Sequence, residues 1–378
     1  MNDLKKESLD LHKKLKGKLK VTSKIKLNSR RALSLAYTPG VGQACLEIAK
    51  NPKKAKELTI KSNSVAIVSD GSAVLGLGNL GALAAIPVME GKAALFSEFA
   101  EIDAFPICLQ TQDTEEIIKT VINIAPCFGG INLEDISAPK CFEIEERLKK
   151  ELNVPVFHDD QHGTAVVVLA AFINAIKVKG VKKENVRVVV NGAGAAGISI
   201  VKILLDFGVK NIISCDSAGI INLDRRDISG AKQKIALSTN MENRKGNLSD
   251  ALFGADVFIG VSAGGVLKEK MIKSMAKNPI IFALANPEPE VYPEQAKKSG
   301  AFIVATGRSD FENQVNNVLA FPGIFRGALD NNVKDITQKM LLKTASALSL
   351  CVPNPSRNKI LPNPFDKSVV SKISKTIK

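Results

Sequence analysis

Two short segments place carboxylates where a chain leaves an apolar run. Asn132-Leu133-Glu134-Asp135-Ile136 is one, and Phe157-His158-Asp159-Asp160-Gln161 is the other, with 25 residues separating Asp135 from Asp160. Glu134, Asp135 and Asp160 together offer three hard oxygen ligands. Mg²⁺ and Mn²⁺ take such ligands and keep positions open for water or substrate. Asp is also a favoured helix N-cap, so these acids alone leave capping and metal binding both open.

Two further residues could move protons. Lys92 is a lone basic residue in Met89-Glu90-Gly91-Lys92-Ala93-Ala94-Leu95-Phe96. An amine stripped of water has a lowered pKa and becomes a base near neutral pH. Tyr37 sits in Ala36-Tyr37-Thr38-Pro39-Gly40-Val41, a turn rich in Pro and Gly. The bland alternatives are a snorkelling lysine and a tyrosine packed in a turn.

The elements that must position these groups are legible from pattern. Val186-Arg187-Val188-Val189-Val190 reads as a buried strand. Gly192-Ala193-Gly194-Ala195-Ala196-Gly197 follows at once, then an apolar helix over Ile198 to Phe207. A second strand, Asn211 to Cys215, ends at Asp216, 24 residues after Gly192. That order is a dinucleotide fingerprint. Gly192, Gly194, Ala195, Ala196 and Gly197 let a pyrophosphate approach the helix N-terminus, and Asp216 reaches a ribose hydroxyl. Asp216 favours NAD over NADP, because Ser217-Ala218-Gly219-Ile220 brings no cation for a 2′-phosphate and Arg225-Arg226 is expected to be exposed. A second match, Gly76-Leu77-Gly78-Asn79-Leu80-Gly81, stands several residues beyond the run Val65 to Val68. It reads as a glycine-rich loop that admits something else.

Alternation continues with strands at Asp256–Val261, Pro279–Ala285 and Ala301–Ala305. Their C-terminal ends carry Ser262-Ala263 and Asn286, where open α/β sheets bind ligands. The fold expected is α/β: an N-terminal α/β substrate and metal domain, then a Rossmann-like doubly wound dinucleotide-binding domain. The expected division is a basic helical arm over 1–30, a catalytic domain over 31–155, the NAD(P) domain over 156–330 and a helical tail over 331–378.

The chain has 378 residues and a net charge of +14. Residues 1–31 carry +8, residues 331–378 carry +7, and the middle carries −1. A nucleic-acid footprint would coincide with the recognition surface, so this charge reads as solvated ends, and no nucleic-acid partner is expected. The longest apolar run, Ala165 to Ile173, is too short to span a bilayer. None of the six cysteines forms a C-x-x-C pair, and a cytoplasmic location is expected.

Taken together, the chain resembles the malic enzymes, most closely their short bacterial form. The likeness rests on ordered segments: Tyr37-Thr38-Pro39-Gly40-Val41, Ser69-Asp70-Gly71, Gly76 to Gly81, Gly91-Lys92-Ala93, Asn132-Leu133-Glu134-Asp135, Asp159 to Thr164, and Asn316-Asn317 ahead of Phe321-Pro322-Gly323. It implies metal-dependent oxidative decarboxylation of malate to pyruvate and CO₂ with reduction of NAD or NADP. It implies Mg²⁺ or Mn²⁺ on Glu134, Asp135 and Asp160, Lys92 as general base and Tyr37 as general acid. Asn286 and Asn317 would hold substrate carboxylates, and decarboxylation of oxaloacetate is a conceivable side activity. Larger members carry an arginine where Ala73 stands here, so backbone N–H groups of the Gly76–Gly81 loop, the metal and Asn317 become candidates for that carboxylate. The resemblance also implies a homodimer. Leu4, Leu11, Leu15 and Leu19 give the first residues an apolar stripe, and Tyr37 could reach a neighbouring subunit's cleft. A cofactor-free lyase would not need the Gly192 turn, and a non-catalytic dinucleotide binder would not need Lys92, Tyr37 and three carboxylates together.

Overall fold

Buried apolar runs become the strands of two parallel sheets. The computed structural model describes residues 2–228 and 230–378; residue 1 of the expected arm lies outside them. In the first half, β1 (Ser64–Ser69), β2 (Asp103–Cys108), β3 (Gly130–Leu133) and β4 (Val156–His158) pair in the order β2-β1-β3-β4, all parallel. Strand β1 is buried along its whole length, as a parallel strand covered on both faces must be. Crossover helices Gly81–Ala100, Thr114–Ile124 and Lys140–Glu151 supply that cover. Asp113 caps the second of these by accepting from the Glu116 N–H.

The second sheet contains β5 (Arg187–Asn191), β6 (Asn211–Asp216), β7 (Gly219–Ile220), β8 (Val257–Gly260), β9 (Ile280–Ala283) and β10 (Ile303–Thr306). Their order is β10-β9-β8-β5-β6-β7, parallel except for β7 at the edge. The chain winds one way from β5 to β7 and the other way from β8 to β10. The crevice between β5 and β8 is therefore a topological switch point, where such sheets bind dinucleotides. The fingerprint turn after β5 needs its glycines. Gly192 sits at φ +119°, and a Cβ on Gly197 would lie 1.7 Å from the Gly192 carbonyl oxygen.

Helix Thr164–Lys179 joins the halves. With the preceding turn it forms Asp159–Lys179, which is apolar and long enough to cross a membrane but 72% buried inside the protein over its most apolar window. It is hydrophobic all round because one core surrounds it, running from Val65 and Ile67 of β1 to Val188 of β5 and Ile259 of β8. Buried Asn174 on this helix donates to the Ser349 and Ile360 carbonyls, each at 2.9 Å.

Those last contacts correct the reading of the C-terminal end as merely solvated. Helices Gln338–Ser349 and Ser368–Ser374 are indeed basic and helical, but Leu341, Leu348, Ile373 and Ile377 lie in the core. At the other end, helix Asn2–Leu15 leaves Leu4, Leu11 and Leu15 at 71%, 50% and 50% exposure.

Edge-to-face aromatic pairs fasten the active half to the helix Phe321–Asp330. Phe325 meets Phe96 at 5.3 Å and Phe157 at 5.7 Å between ring centroids, and Phe321 meets Phe96 at 4.7 Å. Phe325→Ala removes the ring shared by two of these pairs. It should cost about 3–5 kcal/mol of unfolding free energy, read from the shift of a denaturant midpoint at unchanged slope.

Candidate active site

Strands β3 and β4 are neighbours in parallel register, with Leu133 opposite His158. Whatever follows each strand therefore emerges side by side. Glu134 and Asp135 follow β3, and Asp159 and Asp160 follow β4 on a single π-helical turn, Asp159–Gly163. The Asp135 N–H donates to Asp160 Oδ2 at 2.8 Å. To do so, Asp135 adopts φ +53°, a left-handed conformation that is uncommon outside glycine and recurs at functional sites.

Helix Gly81–Ala100 brings Lys92 over this edge. Its Nζ lies 2.5 Å from Asp159 Oδ2, 2.8 Å from Glu134 Oε1, and 4.3 Å from the centre of the Phe321 ring. The Asn317 amide donates to the same Asp159 oxygen at 2.5 Å, and the Asn132 amide holds Glu134 Oε2 at 2.9 Å. Glu134, Asp135 and Asp159 are buried, while the Asp160 side chain is 33% exposed.

The electrostatics differ from expectation at Lys92. Burial lowers its pKa and is the largest single influence, but Asp159, Glu134 and Asp160 together outweigh it and push the ammonium well above its usual value. In this arrangement Lys92 is a cation. Asp135 shows the opposite stress. Burial, then the charges of Asp160 and Glu134, raise its carboxyl to about 8. Asp160 is raised as well, chiefly by burial.

This crowding bears on whether a cation fits. Among the described residues no group of three or more His, Cys, Asp or Glu side chains is placed to hold a metal ion as it stands. Yet Asp135 Oδ2 and Asp159 Oδ1 are buried oxygens with no hydrogen-bond partner. Buried carboxylates without partners, pressed against like charges, are what a divalent cation relieves. A hard cation that keeps some of its water needs only one or two protein carboxylates, so the donor set fits Mg²⁺ or Mn²⁺.

A cavity of about 1020 Å³ opens above these acids and runs to the dinucleotide crevice. Its wall includes Lys92, Glu134, Asp135, Asp160, Gly76, Gly194, Ala195, Ala196, Ser262, Asn286 and Asn317, so most of the expected site converges. Gly192 and Gly197 form the turn beneath the wall. Ala263 lies just outside it. Gly76, at φ +73°, passes so close to the Asn286 carbonyl that a Cβ there would stand 2.7 Å from it. Tyr37 is the exception: it is 67% exposed and lies off the wall.

Asp216 requires a correction. Arg226 is exposed, as expected, but Arg225 folds back onto Asp216 with two hydrogen bonds of 2.8 and 3.1 Å. Lys232 joins at 2.7 Å. The carboxyl is held down at about 2: burial opposes this, and the Arg225 and Lys232 hydrogen bonds overcome it. The antiparallel strand β7 reverses the chain, so Arg225 returns to the end of β6. Two cations stand at the ribose corner, and the argument for NAD from a missing cation falls.

Sequence reading passed over three other groups. Asp159 looked like a cap and is the closest partner of Lys92. Glu290 is buried and accepts from the Ser262 and Ala285 N–H groups, each at 3.0 Å, fixing the loops after β8 and β9. Lys18 of the basic arm lines the cavity and donates to the Pro87 carbonyl at 2.6 Å. Only for Asp159 was there a signal, its adjacency to Asp160.

The raised Asp135 pKa fixes a sign. A carboxyl that titrates near 8 when folded and near 3.9 when unfolded binds its proton more tightly in the native state. Its stabilising effect is present at low pH and lost as pH rises through that interval. The thermal midpoint of metal-free protein should therefore fall between about pH 5 and about pH 8, less steeply in Asp135→Asn. Equal slopes in the two proteins would contradict the crowding.

The comparisons with known proteins agree with one another. Residues 16–149 match the family described as malic enzyme, N-terminal domain, and residues 161–377 match malic enzyme, NAD binding domain. The bifunctional malic/malolactic enzyme of Bacillus subtilis is 52% identical over 99% of this chain and 92% of that protein. The NAD-dependent malic enzyme of Geobacillus stearothermophilus is 56% identical over 96% of this chain and 76% of that protein. The crystal structure of the NAD-dependent malic enzyme of Thermotoga maritima superimposes with a TM-score of 0.95 at 53% identity, covering 98% of each chain.

Proposed function

The chain belongs to the malic enzyme family, and we propose that it oxidises and decarboxylates malate in the cavity between its two sheets. The family reaction converts malate to pyruvate and CO₂ with reduction of NAD or NADP. The observation that carries the residue assignment is Lys92 held by Asp159 and Glu134 on the wall shared by Asp135 and Asp160.

The Gly192–Gly197 turn at the switch point would hold the dinucleotide's pyrophosphate on its backbone N–H groups. Asn286 and Asn317, facing the same cavity, receive the substrate carboxylates. The Gly76 loop closes against Asn286 and lends backbone N–H groups where larger family members use arginine. Glu134, Asp135 and Asp160 would hold Mg²⁺ or Mn²⁺, which supplies positive charge to the substrate's C2 oxygen as charge builds there.

Lys92 handles the hydroxyl proton. Its ammonium is sustained by the carboxylates around it. With a divalent cation on those carboxylates, burial would dominate and lower the pKa. Lys92 would release its proton to cavity water, and the neutral amine could then accept the C2 hydroxyl proton, while the bound dinucleotide would supply the hydride acceptor. Asp159, itself held by the Asn317 amide, fixes the position of Nζ. After CO₂ departs, C3 needs a proton, and Tyr37 delivers it.

Tyr37 cannot do this from its place in a single chain, where it is exposed and off the cavity wall. Leu35, two residues before it, and Leu46 and Leu77, elsewhere in the first half of the chain, are also exposed, at 67%, 57% and 56%. Exposed apolar surface of this kind marks an interface. We assign it, with the stripe of helix Asn2–Leu15, to a homodimer in which Tyr37 enters the partner's cleft. The six cysteines are free, which suits the reducing cytoplasm. Oxaloacetate decarboxylation would be a side activity of the same carboxylates and Tyr37.

An assay of malate with NAD and with NADP, each with and without Mn²⁺, tests the reading. Activity with neither cofactor would refute it. Asp160→Ala should abolish turnover while circular dichroism stays native. Full activity of that variant, or of the protein in excess chelator, would remove the metal assignment.

Lys92→Ala should lose about 10²–10⁴-fold in malate oxidation, and Tyr37→Phe should lose a similar factor in the final protonation. Mixing the two inactive variants under subunit exchange separates one chain from two. If Tyr37 serves its neighbour, the mixture regains activity above either parent. If it serves its own subunit, nothing is regained.

A further inference from the structure

We infer that Glu145 is a positioning residue whose carboxylate clamps the turn bearing Asp159 and Asp160, and so sets the site's affinity for its divalent cation. Glu145 lies on helix Lys140–Glu151, 5% exposed, and forms no part of the cavity wall. It touches neither substrate nor cofactor space. Its oxygens face the back of the turn.

The contacts bracket that turn. His162 Nε2 lies 2.8 and 2.9 Å from the two Glu145 oxygens. The His158 N–H donates to Oε1 at 3.4 Å, and Lys149 Nζ reaches the same oxygen at 2.9 Å. His158 precedes the turn Asp159–Gly163, and His162 is its fourth residue. One carboxylate therefore holds both ends of the segment from which Asp159 and Asp160 project toward Lys92 and Asp135.

The turn needs such an anchor. A single π-type turn is wider than an α-turn, and isolated ones recur at functional sites. Here it is wrapped tightly: a Cβ on Gly163 would sit 1.8 Å from Asp159 Oδ1. Its own hydrogen bonds must hold against the repulsion among Glu134, Asp135, Asp159 and Asp160, the first three of them buried. The His162 ring, 5.5 Å from the Phe157 ring, carries the restraint from Glu145 into the strand that launches the turn. Outer partners of metal-ligating groups typically change metal affinity by about 10–100-fold when removed.

The inference rests on the metal reading above, and the test separates the two. Mn²⁺ binding is measured on the full chain by the electron paramagnetic resonance signal of the free ion, without turnover. Wild type should bind and Asp160→Ala should not; a wild type that binds no Mn²⁺ would overturn both readings. Glu145→Gln should raise the Mn²⁺ dissociation constant by about 10–100-fold, while kcat at saturating Mn²⁺ changes by a smaller factor. Wild-type Mn²⁺ affinity in folded Glu145→Gln, even with a lowered thermal midpoint, would overturn the clamp and leave the metal site standing. Should that variant not fold, the double variant Glu145→Leu/His162→Phe removes both partners together and leaves neither unpaired. The same loss of affinity is expected there, and unchanged affinity would overturn the clamp.

Discussion

The ammonium of Lys92, sealed between Asp159 and Glu134, is the constraint on which the rest of the architecture depends. A buried charge is costly unless it is paired and hydrogen-bonded. Here the two partners come from different strands, one following β3 and one following β4, while the lysine comes from a crossover helix. Three separate elements must therefore arrive within 3 Å of one another. That demand explains the long buried helix, the parallel register that sets Leu133 opposite His158, and the aromatic packing of Phe321 beneath the Lys92 amine. It also ties chemistry to folding, since displacing any one element leaves a charge without its partner.

The same pairing joins the two halves. Asn317 belongs to the second half of the chain, yet its amide reaches Asp159. Gly76 belongs to the first, yet it lies against the Asn286 carbonyl. Dinucleotide loops and acid cluster thus meet across one cavity, with a continuous apolar core on the far side. Glu290 holds the loops after β8 and β9 from behind, much as Glu145 holds the turn after β4. In both places a buried carboxylate outside the cavity fixes backbone that lines it.

The sheets were legible because buried parallel strands write themselves as short β-branched runs with polar residues at their C-terminal ends. Val188–Val190 and Val65–Val68 show this directly. The positions of Glu134, Asp135 and Asp160 followed from the same rule. What pattern could not supply was anything set by pairing across distance. Arg225 returns to Asp216 because a two-residue antiparallel strand turns the chain, and that strand is too short to leave a period. Lys92 looked like a desolvated amine because the acids that surround it lie 42 and 67 residues further along the chain. Net charge at the C-terminal end suggested solvated helices, since charge counts do not show that the apolar residues between lysines share one face.

Charge and apolar surface together support the proposed homodimer. The arm carries +8 within 31 residues, and Lys18 from it lines the cavity. Its helix nonetheless leaves a leucine stripe bare, and Tyr37, Leu35, Leu46 and Leu77 are all exposed. A solvated basic arm would need no leucine stripe, and a tyrosine needed only for packing would not remain 67% exposed. The proposed homodimer would account for both observations, with a second copy covering these surfaces. On that view the acids, Lys92 and the dinucleotide crevice are the part of the site one chain completes by folding. In the proposed dimer, Tyr37 as the group that protonates C3 would be added by association, which would tie the final step of the reaction to assembly.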